Sequence, residues 1–430
     1  MRKDLIDWFF PLVMGTLVLC GTTLAPAICN PTTRWLMVLA VVAIGVTSVS
    51  ARSVWHSYIF KLIAAYLLLC LASVAWSQMS TLSLYKALAA WLVTVGMFSV
   101  GYAWMQRRPS LPDFWILFYW VVPASVTVAA LGKGERNLAG IGGDYYGGLS
   151  GNSNYLGWMM AISFAPLLWK VFDRQTSIRN RRICFLLLLS IVYFLLLSQS
   201  RGGLLIVLCS CVGWLIASDT NRKLLIVSIT ALLLIITLLV TPGVGDHFYQ
   251  KYVLKGNVTN LEDAYQQSRG EPYALTLAAA KKVWVFGAGY GVSVGADSTS
   301  YRGGLSSVGY GREKGNSALA IIEEVGVAGL VLVLLIVVHV FRRALKAYRK
   351  ARTQKVRSIM GLLTGLLFGM VLHANIEAWF VAPGSAESIL FWGVLGAFYA
   401  LSSRVINRAR AKKLKPRPFS SPSAPVEERA

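Results

Sequence analysis

Arg201 stands in the run Ser198-Gln199-Ser200-Arg201-Gly202-Gly203, where one long apolar stretch ends and the next begins. A helix start presents unpaired N–H groups and a partial positive charge. A guanidinium there adds a forked donor, so the place favours a phosphate or a carboxylate. The bland alternative is an arginine that snorkels to a membrane interface. The two following glycines point to function, because they let a ligand approach the backbone. Arg136 lies in a second polar stretch, Gly132 to Asn154, which is rich in glycine. Arg269 lies in a third, from Thr241 to Asn316, four residues before Tyr273, so the two can share one face of a helix over Glu271 to Trp284. Asn154 and Asn316 stand where apolar runs begin, as helix caps or as ligand contacts. Glu271 lies beside Arg269, and Glu324 lies inside the next apolar run. Gly287-Ala288-Gly289-Tyr290-Gly291 reads as a turn; it lacks the spacing and the preceding strand of a dinucleotide fingerprint.

These residues must be positioned by membrane helices. The 430-residue chain is 56% hydrophobic and 14% charged, with a mean hydropathy of +0.58. A soluble chain could not cover so much apolar surface with so little charge. Apolar runs at 8–28, 34–50, 57–76, 87–105, 112–131, 153–172, 183–199, 203–218, 223–241, 317–341, 359–380 and 385–402 are each about long enough to span a bilayer. The fold expected is therefore an all-α polytopic membrane protein of about twelve crossings. The first run, with Pro11 and Pro26, reads as a retained span rather than a cleaved signal.

The net charge of +23 does not point to nucleic acid, because the positive residues sit in short loops and in the tail. That pattern belongs to topology and lipid headgroup contact. Threaded from a cytoplasmic N-terminus, the inside loops hold Arg52, Arg107, Arg108, Arg174 to Arg182, Arg222, Lys223 and Arg342 to Arg357. The outer loops are poorer in Lys and Arg. The expected organisation is helices 1–9 over 1–241, one large periplasmic loop over 242–316, helices 10–12 over 317–402, and a basic, disordered cytoplasmic tail over 403–430. The six cysteines lie almost entirely in apolar runs and show no CxxC spacing, so they read as small buried hydrophobes.

Several motifs, taken together in their order between spans, resemble the O-antigen ligase and polysaccharide polymerase superfamily of bacterial envelopes, xanthan-type polymerases included. They are Ala75-Trp76-Ser77, Gly151-Asn152-Ser153-Asn154-Tyr155-Leu156-Gly157, the Arg201 run, Arg269 with Tyr273 and the Gly287-Ala288-Gly289 turn, and Gly315-Asn316-Ser317 followed by Glu324-Val325-Gly326. The resemblance implies a twelve-span glycosyltransferase of the inner membrane that needs no metal and no cofactor. It would take oligosaccharide from undecaprenyl diphosphate on the periplasmic side and invert the anomeric centre. It implies that Arg201 and Arg269 hold the diphosphate; Arg136, a cation of the same type, and Tyr273, Asn154 and Asn316 are the further candidate substrate contacts. Membrane lipids, a chain-length regulator and export proteins are the implied partners.

One departure bears on the reaction. Ligases of the superfamily usually carry histidine just before the asparagine matching Asn316, and here that residue is Gly315. The proton acceptor is then sought among carboxylates: Glu313, nearest that position, and Glu271. His373, followed by Asn375 and Glu377, lies in the outer half of its span. The expectation is a polymerase of lipid-linked repeat units into exopolysaccharide or O-antigen. The alternatives are a ligase acting on lipid A core and a transporter. A transporter would place ionisable residues and broken helices near the bilayer midplane, and Lys61, His373 and Glu377 are the residues that keep it in play.

Overall fold

A computed structural model describes residues 2–22, 30–47, 49–107, 118–132, 146–173, 175–218, 270–294 and 314–414. The expected span at 223–241, the tail beyond 414 and most of the 242–316 stretch lie outside the described residues. What is described is helical: α1 (Arg2–Leu19), α2 (Pro31–Val46), α3 (Val49–Trp55), α4 (Tyr58–Ala72), α5 (Ser80–Arg107), α6 (Val121–Ala130), α7 (Ser153–Phe172), α8 (Ile178–Ser198), α9 (Arg201–Ala217), α10 (Glu271–Lys282), α11 (Ser317–Lys350), α12 (Gln354–Ala374) and α13 (Ala386–Leu414). Seven of them, α4 with its one-turn extension, α5, α7, α8, α11, α12 and α13, are long and apolar enough to cross a membrane. Shorter apolar helices are α1, α2, α6 and α9. The protein is an all-α polytopic membrane protein.

The bundle is joined where small residues let backbones touch, as expected where hydrocarbon surrounds the helices and packing must supply the attraction. The most extensive contact is α9 against α12. On α12 the seam is Gly361, Gly365 and Gly369, one residue every fourth position. A Cβ at Gly361 would stand 2.2 Å from the Gly213 carbonyl oxygen, and one at Gly365 would stand 2.2 Å from that of Cys209. The next residue in this ladder is His373, which meets Gly202 at the start of α9. Next in extent is α13 on α5, where Gly101 abuts the Gly393 carbonyl and Gly396 that of Phe98.

Contacts between helix ends sort the chain into two poles. At one pole the Trp104 indole donates to the Asp7 carbonyl, Gln354 donates to the Ala217 carbonyl, and Lys355 pairs with Asp173. The Arg404 guanidinium donates there to the carbonyls of Met105 and Gln106. This pole is basic: a cavity of about 290 Å³ opens among Lys350, Arg352, Arg404 and Arg408. At the other pole lie the end of α1, where the Val18 carbonyl accepts from the Tyr155 hydroxyl, and the starts of α7, α9, α11 and α13.

α11 is broken at Gly326, whose φ of 75° and ψ of −178° only glycine adopts readily. The break leaves backbone groups that must be satisfied within a membrane protein. The turn at 284–289 satisfies them. The amides of Ala288 and Gly289 donate to the carbonyls of Glu323 and Glu324, and the amide of Val327 donates to the Trp284 carbonyl. A Cβ on Gly287 would collide with the Glu324 carbonyl at 2.4 Å. The expected Gly-rich turn is thus present, and its role is to dock the polar stretch on a broken helix.

Candidate functional site

At the pole opposite the basic cavity, a second cavity of about 390 Å³ gathers side chains from four separate parts of the chain. Asn152, Asn154 and Tyr155 come from the start of α7, and Lys314 and Gly315 precede α11. His373 closes α12, Glu377, Ala378 and Trp379 follow it, and Glu387 lies in the first turn of α13.

The connection after α12 is held by both asparagine motifs. Asn154 Nδ2 donates to the Glu377 carboxylate at 2.9 Å. Asn316 Nδ2 donates to the Asn375 carbonyl at 3.0 Å, and the Ser317 hydroxyl donates to the Glu377 carbonyl at 3.2 Å. The Phe380 amide donates to the Ser317 hydroxyl at 3.3 Å. The amides of Ile376 and Glu377 both return to the His373 carbonyl at 2.9 Å. The Trp379 indole N–H donates to His373 Nδ1 at 3.0 Å. This turn therefore presents an oriented imidazole and a held carboxylate to one cavity.

The helix starts obey ordinary capping chemistry. Asn316 caps α11 by accepting from the Leu319 amide. Asn154, expected as a cap or a ligand contact, does not cap α7; Asn152 does, accepting from the amides of Asn154 and Tyr155. That leaves the Asn154 amide to hold Glu377. Ser200 caps α9, and the preceding Gln199 adopts a left-handed φ of 50° that ends α8. Arg201 is the exposed first residue of α9.

The two glycines after Arg201 do not open the backbone to a ligand. A Cβ on Gly202 would stand 2.4 Å from the His373 ring, and one on Gly203 would stand 2.6 Å from the Gly157 carbonyl oxygen. They are there because an imidazole and a neighbouring helix occupy that space. The same packing sets Arg201 next to the residue on which His373 rests.

Tyr273 is half-buried on α10, and Glu271 is the first residue of that helix. Arg136, Arg269 and Glu313 lie outside the described residues. Lys61 falls in the first turn of α4 and is exposed, so it is no midspan charge. The buried charges lie elsewhere. Lys314 Nζ bonds to Glu324 at 2.6 Å and lies 3.6 Å from Glu323, all three side chains being 0% exposed. Glu324 also accepts from the Gly291 amide and Glu323 from the Val294 amide, at 2.7 and 2.8 Å. Lys86 reaches the Gly291 carbonyl at 3.1 Å. Glu324 is thereby committed to structure rather than to proton transfer.

Residues 184–334 match the family model described as O-antigen ligase. That stretch, about a third of the chain, is similar to the O-antigen ligase family. It takes in Arg201, the Gly-rich turn, Gly315, Asn316 and the α11 break, and it ends before His373 and Glu377. A solved chain of a peptidoglycan synthase complex that coordinates polymerization and crosslinking aligns with 17% identity and a TM-score of 0.45, over 82% of this chain and 99% of that one. No curated protein matches the sequence. The similarity of residues 184–334 to that family supports enzymatic, glycan-polymer-related activity.

Sequence reading gave no role to Trp379 and Glu387, quoted Asn152 and Tyr155 only within a motif, and noted Glu377 only as a follower of His373 and as a charge that keeps a transporter in play. A signal for them exists: His, Asn, Glu and Trp within seven positions, directly after a glycine ladder, is an unusual density of polar groups for the end of a membrane helix.

Proposed function

We propose that this protein polymerises undecaprenyl-diphosphate-linked oligosaccharide repeat units into exopolysaccharide or O-antigen. The reaction is an inverting glycosyl transfer without metal at the periplasmic face of the bacterial inner membrane. The observation that carries the reading is the convergence of the two asparagine motifs on one polar cavity at the pole opposite the basic one, with the Arg201 turn packed through Gly202 against the His373 that lines it. The similarity of residues 184–334 to the O-antigen ligase family supports the substrate class. In this reading the chain crosses about twelve times, and the 242–316 stretch is a periplasmic loop bringing Arg269 and Tyr273 to the cavity.

The chemistry follows from the groups. A departing diphosphate gathers negative charge, and fixed cations stabilise that charge better than mobile water does. Arg201, at the positive end of α9, is one such cation; Arg136 and Arg269 are the others proposed. The lipid tail lies along the helices while the sugars occupy the cavity. Arginine supplies the neutralisation that a divalent ion supplies elsewhere, so no metal is invoked. The transporter reading asks for a broken helix that offers its backbone to a substrate. The groups freed at Gly326 are instead bonded to the 284–289 turn.

The ligase reading is favoured by the description of the matched family and opposed by Gly315, which stands in the usual place of the ligase histidine. Its φ of 61° is left-handed, with the nearest neighbour of a Cβ at 3.5 Å, so the position adds room to the cavity. One assay separates the two. Purified protein is given the lipid-linked oligosaccharide that a deletion strain accumulates. Products that lengthen by whole repeats, equally with and without EDTA, are expected. Transfer to added lipid A core without lengthening would establish the ligase instead, and loss of activity in EDTA would refute the metal-free mechanism.

A further inference from the structure

Resting on the proposed glycosyl transfer, we infer that Glu377 is the general base that takes the proton of the acceptor hydroxyl, with His373 beside it as a fixed hydrogen-bond donor. Three observations lead there. First, an indole N–H can only donate. With Trp379 donating to His373 Nδ1 at 3.0 Å, a neutral imidazole must carry its proton on Nε2. The other nitrogen of this buried ring therefore presents a donor to its surroundings, and His373 is poorly suited to accept a proton. Second, Glu377 lines the same cavity, half-buried, and Asn154 holds its carboxylate at 2.9 Å. An amide N–H donated to a carboxylate fixes its direction without neutralising it. Third, the Glu377 backbone is tied to Ser317 and to the end of α12, so the side chain springs from a rigid base. Two motifs far apart in sequence, that of Asn154 and that of Asn316-Ser317, are spent on orienting one short turn.

Glu387, the other carboxylate on the cavity, lies in the first turn of α13; the Asn154 side chain that fixes the Glu377 carboxylate sets Glu377 apart from it. Glu324 is held in the buried ion pair. The step balances with Glu377 alone. The acceptor O–H bond breaks and its proton passes to the Glu377 carboxylate. The oxygen forms the bond to the anomeric carbon. The bond from that carbon to the diphosphate breaks, and its electron pair leaves with the lipid diphosphate.

The test uses full-length protein in proteoliposomes with the accumulated lipid-linked oligosaccharide. Wild-type lengthening is the control: its absence counts against the proposed function and not against Glu377. Glu377→Gln keeps the acceptor oxygen for Asn154 and removes the proton-accepting carboxylate. Lengthening should fall by about 100-fold or more, as loss of a general base does. KM for the lipid donor should stay within about threefold, since donor binding is left to the arginines. The acid limb of the wild-type pH–rate profile should vanish from the residual activity. Azide added as acceptor needs no proton removed, so glycosyl azide formation by Glu377→Gln should stay close to the wild-type rate. Lengthening within about threefold of wild type, or loss of azide transfer and lengthening together, would overturn the assignment. So would transfer of the whole signature, acid limb included, to His373→Gln.

Discussion

Arg201 shows what one residue can and cannot reveal. Its place at a helix start was legible, because Ser-Arg-Gly-Gly between two apolar runs combines a cap, a cation and a break in the hydrophobic pattern. Its neighbours were misread. Nothing in the local sequence says that Gly202 faces an imidazole 171 positions later rather than a ligand. The proposed diphosphate contact is tested at Arg201 itself. Arg201→Ala should lower polymer formation by about 100-fold or more, the cost of removing a fixed donor from a developing anion. It should leave the amount of protein in the membrane unchanged, since the side chain is exposed at the end of α9. Arg201→Lys should recover little, because a point charge does not replace the forked donor. Near-normal polymer from the alanine variant would remove Arg201 from the site.

At the scale of elements, the broken helix α11 does most of the positioning. The chain from 284 to 294 is bound to it by backbone and by buried carboxylates, and Lys314 joins that anchor to the cavity wall. The apolar run was readable from composition, but the break was not. A single Gly in an apolar helix is common in membrane proteins, and only the segment 284–289 explains why the helix opens here. Burying a lysine between two glutamates requires that all three stay paired. Lys314→Met should therefore destabilise the protein by about 3–5 kcal/mol, the range seen when one partner of a buried pair is lost. The measurement is thermal unfolding in detergent. Lys314→Met combined with Glu323→Gln and Glu324→Gln should recover much of that loss, because the uncompensated charges go with it. Equal instability in the triple variant would mean that the lysine acts through packing alone.

At the scale of the whole molecule, the alternation of basic and non-basic loops and the two poles of the bundle are one fact seen twice. Lys350, Arg352 and Arg404 gather at one pole, and the Asn154, Arg201 and Asn316 turns gather at the other, where the Gln78 amide donates to the Ala288 carbonyl of the turn docked on α11. In the proposed topology the positive-inside rule orients the bundle, with the basic pole in the cytoplasm and the cavity outside. The proposed chemistry depends on this orientation: lipid-linked units on the periplasmic leaflet would meet the cavity only if it faces outward. Two exposed positions report it, Gln78 at the cavity pole and Arg179 at the basic pole. In a cysteine-free background, Gln78→Cys in intact spheroplasts should react with a membrane-impermeant thiol reagent. Arg179→Cys should react only after lysis. The reverse pattern would place the cavity in the cytoplasm, where the proposed donor is not displayed, and the polymerase reading would fall with the topology. Labelling of both positions before lysis would show instead that the two poles lie on one side, which would break the threading of the bundle.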